Sequence, residues 1–161
     1  GVYSIMGEMS VDYINPFIMA ATGIIKDACQ VELSVGKPYI KKNDFDESHA
    51  IIMIGLTGQL KGQVLLTFKI QSALTVASKM MMGMPVNELD DMAKSAVSEL
   101  GNMIMGNAAT ILSQKGIIVD ITPPSLAVGT VNITTSYAQN VCVPLEGDGI
   151  SMEINVAIKI Q

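Results

Sequence analysis

Four residues, Ser95, Glu99, Asn102 and Gly106, follow one another at steps of four, three and four. That spacing lines them along one stripe of an α-helix. A carboxylate and a carboxamide on one stripe can act on the same object: Glu99 can pair with a cation, and Asn102 carries both an acceptor and donors. It can therefore hold a water by its proton while engaging an anion. Ser95 and Gly106 add little bulk at either end, which lets the backbone of another protein come close. Taken alone, the same residues also suit a solvated helix face.

The remaining composition removes most other chemistry. All ten basic residues are lysines and the formal net charge is −5, so the chain has no guanidinium clamp and no clustered positive charge of the kind that binds nucleic acid. His49 is the single histidine, which disfavours a serine triad or a multi-histidine metal site. No metal ligands are assigned. Asp44 and Asp46 open like a calcium loop, but His49 stands where such a loop needs glycine and Gly55 where it needs glutamate. That loop reads as a solvated turn, and His49 as a surface or hydrogen-bonded histidine. Cys29 and Cys142 lack CxxC spacing and are expected to be reduced, buried thiols. Apolar runs fall far short of the roughly 20 residues that cross a bilayer, so no membrane association is expected. The start of the chain shows no targeting segment, and a cytoplasmic location is expected.

The stripe needs elements to hold it. Helices are expected over 10–28, capped by Ser10 and interrupted by Pro16; over 70–82, stopped by Gly83 and Pro85; and over 88–115, stopped by Gly116 with acidic residues in its first turn. The last of these carries the stripe, and its apolar positions Met92, Ala96, Leu100, Met103, Ile104, Ala108, Ile111 and Leu112 are expected to pack on a sheet. The methionines at 80, 81, 82 and 84 read as helix-end core packing. Strands are expected over 29–35, 50–56, 64–68, 117–121, 137–145 and 150–160. Residues 50–56 are apolar at successive positions, as in a central strand covered on both faces. From Ile150 to Ile160 apolar and polar residues alternate, putting one face in a core and the other toward water or a partner. The fold class is α+β in a single domain, 1–161: a mainly antiparallel sheet of about six strands packed against long helices. The element order is compatible with an internal pseudo-twofold repeat, in which Asn15 aligns with Asn102 and Asp12 with Glu99.

The pattern Ser95-x-x-x-Glu99-x-x-Asn102, continued by Gly106 and set in the stretch Leu89 to Asn102, resembles the signature of the CheC/CheX/FliY family of chemotaxis phosphatases, and most of all its CheX branch. Gly83-Met84-Pro85 before the helix and Asp120-Ile-Thr-Pro-Pro124 after it extend the likeness. The resemblance implies a phosphatase acting on the phospho-aspartate of a phosphorylated CheY-like response regulator. Asn102 would orient the attacking water and Glu99 would pair with the receiver's active-site lysine, with Ser95 and Gly106 as partner-binding positions. Mg²⁺ would be supplied by the receiver, with no cofactor in this chain. A homodimer is also implied, for which the C-terminal strand is a candidate for pairing at a sheet edge. Asp12 and Asn15 repeat the acid-x-x-Asn pattern on the first helix, with an acid one methylene shorter and Pro16 following directly; they are read as a decayed or structural helix start. Two other readings stay open: a non-catalytic adaptor that binds a receiver domain or a flagellar switch component through the same helix, and a relative serving a response regulator outside chemotaxis.

Overall fold

The structure is a computed structural model that describes residues 11–40, 44–45, 49–129, 131–132 and 140–160. Helix α1, Val11–Cys29, buries Ile14, Phe17, Ala21, Ile25 and Cys29 at three- and four-residue steps. Pro16 lies inside it and is buried without moving its start; the proposed cap, Ser10, lies outside the described residues. Gln30, in the left-handed region at φ 56°, turns the chain off the helix. The strand expected over 29–35 is therefore mostly absent, because Cys29 closes the helix and only β1, Ser34–Val35, pairs.

The other strands are β2 (Tyr39–Ile40), β3 (Asp44–Phe45), β4 (His49–Gly58), β5 (Leu60–Lys69), β6 (Val119–Ile121), β7 (Ser125–Val128), β8 (Val131–Asn132), β9 (Val141–Gly147) and β10 (Ile150–Ile160). Helix α2, Ile70–Met80, follows β5, and α3, Asp91–Gln114, precedes β6. The main sheet runs β1-β9-β10-β5-β4-β6, with β2 also on β9 and β7 also on β4. It thus has about six strand positions, and each rim is shared by two short strands. Every pairing is antiparallel, as expected for an α+β fold.

These pairings exchange in matched sets. Swapping the two halves of the chain turns β4–β5 into β9–β10, and turns β1 and β2 on β9 into β6 and β7 on β4; β5–β10 and β3–β8 map onto themselves. The pseudo-twofold repeat suggested weakly by sequence is carried by the strand pairing.

The three described helices share one core with a single sheet face, formed by Ala50, Ile52, Ile54 and Leu56 of β4 and the matching residues of β5, β9 and β10. On the other face Ile51 and Leu65 are buried together beside Met53, so β4 is covered on both faces there, although it lies next to the rim strands β6 and β7 while β5 and β10 hold the centre of the sheet. The alternating strand β10 lies between β9 and β5 over Met152–Val156, with Ala157–Ile160 paired to β5 alone among the described residues. It is thus an interior strand of the sheet rather than an edge strand, which corrects the expected pairing of a second copy at a β10 sheet edge. Its second face is not simply open to water either. Asn155 is fully buried, donating from Nδ2 to the Leu65 carbonyl at 3.3 Å and accepting from Cys142 Sγ at 2.7 Å. Cys29 and Cys142 are both buried free thiols.

The methionine expectation holds only at Met80, which packs on the core. Met82, at φ 59°, is 98% exposed and Met84 is exposed too, because the helix ends at Met80 and the chain turns outward. The acidic loop around Asp44 and Asp46 lies outside the described side chains, as do residues 137–139 of the strand expected there.

Candidate functional site

Helix α3 starts at Asp91, three residues after the expected start. Asp90 is the N-cap, with Oδ1 accepting the Ala93 amide at 2.9 Å, which satisfies one of the orphan donors of the first turn. Asp91 adds negative charge at the positive end of the helix dipole. At the far end Lys115 caps the helix and Gly116, at φ 82°, reverses the chain.

The buried face of α3 is Ala93, Val97, Leu100, Gly101, Ile104, Met105, Ala108 and Leu112. It is rotated from the expected face, and Met92, expected to pack on the sheet, is 65% exposed. The reason lies at Gly101. A Cβ built there would sit 2.9 Å from Ile52 Cγ2, so the helix meets β4 where a side chain is missing. This turns Ser95, Glu99 and Asn102 outward, all three exposed, with Gly106 half-buried next along the stripe.

Ser95, Glu99 and Asn102 line a shallow cleft of about 490 Å³, together with Asp91, Lys94, Ser98, Pro124 and Leu126. Gly106 is not part of its lining. One wall is therefore helix and the other is β7 with the turn before it. That second wall is fixed to β4. Thr122 Oγ1 accepts the Gly55 amide at 2.7 Å, the Thr122 amide donates to the Gly55 carbonyl at 3.0 Å, and Leu126 pairs with Ile52. Ile52 thus packs its side chain against α3 at Gly101 while its backbone pairs with Leu126 of the opposite wall, so one residue touches both walls.

The cleft carries two carboxylates, Asp91 and Glu99, and one ammonium, Lys94. Among the described residues Lys94 forms no ion pair, and neither the Glu99 nor the Asn102 side chain makes an intramolecular hydrogen bond. A carboxylate and a carboxamide stand side by side, exposed and uncommitted. No group of three or more His, Cys, Asp or Glu among the described residues could hold a metal ion, and no described helix is long and apolar enough to cross a membrane. Sequence reasoning found the stripe but missed Asp91, Lys94, Ser98, Pro124 and Leu126 as parts of the cleft. The i−4 spacing of Ser98 from Asn102 was a usable signal for one of them.

Residues 50–146 match the family described as chemotaxis phosphatase CheX. The chain belongs to the CheX family. It is 37% identical over 121 residues to the CheY-P phosphatase CheX of Thermotoga maritima, covering 75% of this chain and 78% of that protein. A CheC-like superfamily protein from a Shewanella species superposes with a TM-score of 0.84 at 30% identity, covering 94% of this chain and 99% of that one. The CheX–CheY–BeF₃–Mg²⁺ complex of Borrelia burgdorferi gives 0.76 at 34% identity, covering 93% and 99%.

Within this CheX-family fold, Asp12 and Asn15 are exposed on α1 as Glu99 and Asn102 are on α3. The position matching Gly106 is Met19, 55% exposed. The α1 stripe is thus crossed by a long side chain where the α3 stripe is bare.

Proposed function

We propose that this protein hydrolyses the aspartyl phosphate of a CheY-like receiver domain, with Asn102 orienting the attacking water and Glu99 engaging the receiver's lysine. The observation that carries the reading is the uncommitted Glu99 and Asn102 side by side in the cleft of α3. The Thermotoga relative is named for activity on CheY-P, and the Borrelia relative for its complex with CheY and Mg²⁺.

The chemistry suits so sparse a site. An acyl phosphate is already activated, so the work left is to align a water with phosphorus and to offset charge as the bond to the aspartyl oxygen breaks. The water oxygen bonds to phosphorus, the aspartate carboxylate leaves with the electron pair, and the water's proton is lost to the phosphate product. Asn102 Oδ1 accepts from the water while Nδ2 donates to a phosphoryl oxygen. Glu99, paired with the receiver's lysine, fixes the two proteins in register. Mg²⁺ belongs to the receiver in this scheme. Ser95 and Gly106 keep the ends of the stripe low, and the receiver's backbone lies against them.

The test is phosphate release from a purified CheY-type receiver kept phosphorylated by a small-molecule phosphodonor. The wild type should accelerate release, and Asn102→Ala should lose on the order of a hundredfold through misplacement of the water. Glu99→Ala should weaken the reaction through docking. A wild type that binds the phosphorylated receiver without accelerating release would sink the catalytic reading and leave an adaptor.

A further inference from the structure

We propose that Ser98 is a positioning residue for Asn102, its hydroxyl fixing which end of the carboxamide faces the phosphoryl group. The inference rests on the phosphatase reading above and deepens it. Side chains on an α-helix lean toward its N-terminus, over residues i−3 and i−4. For Asn102 these are Glu99 and Ser98. Glu99 is taken up by the receiver's lysine, so Ser98 is the neighbour left to hold the carboxamide.

Two observations bear on this serine. Ser98 is half-buried and lines the cleft together with Glu99 and Asn102. Its hydroxyl is also uncommitted. Four other helix hydroxyls are spent on backbone carbonyls, Thr22 donating to Ile18 at 2.9 Å, Thr75 to Gln71 at 3.1 Å, Thr110 to Gly106 at 3.1 Å and Ser113 to Thr110 at 2.7 Å, whereas among the described residues those of Ser78 and Ser95, like that of Ser98, are not. Ser98 makes no such bond among the described residues, although a mid-helix serine commonly does.

The chemical need is specific. The two ends of a carboxamide are nearly the same size but opposite in hydrogen-bonding sense. If Nδ2 faced the water, the acceptor that holds its proton would be lost. The free protein does not make this bond, so the pairing is one formed on docking: a Ser98 Oγ that then accepts one Nδ2–H leaves Oδ1 for the water and the second Nδ2–H for a phosphoryl oxygen.

The experiment is a double-mutant cycle of Ser98→Ala and Asn102→Ala, read as kcat and KM for phosphate release from the phosphorylated CheY-type receiver. Alanine is favoured in a helix, so unfolding of the variant is not at issue, and a melting curve checks it. Ser98→Ala should lower kcat about tenfold, the worth of one hydrogen bond, with KM unchanged. Ser98→Thr, which keeps the hydroxyl, should retain most of the rate. In the Asn102→Ala background Ser98→Ala should change the residual rate less than about twofold, because the group it positions is gone. Full activity in Ser98→Ala, or the same fold loss in both backgrounds, overturns the role of Ser98 and leaves the phosphatase reading intact. A wild type that fails to accelerate phosphate release overturns both.

Discussion

Gly101 and Gly106 lie on the same helix, and the same substitution is expected to act on them with opposite effect. At Gly106 an added Cβ meets nothing within 4 Å, so Gly106→Ala gains the helix preference of alanine, about 0.5–1 kcal/mol. At Gly101 it would lie 2.9 Å from Ile52 Cγ2 and 3.0 Å from Ile52 Cδ1. Ile52 is β-branched and fully buried, so its methyl groups have few places to go. Overpacking of this kind costs about 1–3 kcal/mol. The helix-preference gain is common to both variants and cancels between them, so Gly106→Ala should exceed Gly101→Ala in stability by about 1–3 kcal/mol. For a chain of this size each kcal/mol moves Tm by about 2–4 °C, a separation that thermal and urea unfolding both resolve. Activity should divide differently. Gly106→Ala, though more stable, should raise KM for the receiver by placing a methyl on the docking face, whereas Gly101→Ala should lower kcat by pushing α3 away from the β7 wall beside Asn102. Equal melting temperatures for the two variants would refute the claim that the Gly101 contact with Ile52 sets the position of α3.

Two further predictions test the elements that hold the site. Asp90→Ala removes the side-chain acceptor of the Ala93 amide and should cost about 1 kcal/mol, with Asp90→Ser recovering most of it; an unchanged urea midpoint would show that the first turn of α3 does not depend on its cap. Burial, and then the hydrogen bond to Glu153, hold the Tyr39 phenol pKa above its usual value near 10. The unfolded chain therefore loses that proton first. The contribution is fully present below about pH 10 and is lost as pH rises toward the folded value, so the urea midpoint should fall above pH 10 less steeply in Tyr39→Phe than in the wild type, and identical slopes would count against it.

How far the sequence reaches depends on whether a feature is local. Ile150 to Ile160 reads as a strand because its alternation is complete within the segment, and β10 has those bounds. The Ser95, Glu99, Asn102 stripe is legible for the same reason: helical period and side-chain chemistry both lie within a few turns. The opposite wall is not. β7 follows two prolines and is held by its register on β4, more than seventy residues earlier in the chain, and nothing in Ser125–Val128 announces that partner. The buried face of α3 was misjudged in kind rather than by chance. Counting apolar residues puts Met92 inside, but the close contact is made at Gly101, and a missing side chain leaves no mark in a hydrophobic pattern. The edge role expected of β10 failed similarly, since alternation reports which way side chains point and not which neighbours a strand has.

The duplication shows where physical equivalence ends and function begins. The strand pairings treat α1 and α3 alike, and each helix presents an acid-x-x-Asn pair to the outside. What differs is side-chain chemistry on otherwise matched faces. The acid at 12 is one methylene shorter than that at 99, and Met19 projects where Gly106 leaves the stripe bare. A partner that must bring its backbone against the helix meets a flexible thioether on α1 and open space on α3. The fold offers the same platform twice, and the difference in chemistry is set by a few atoms on it.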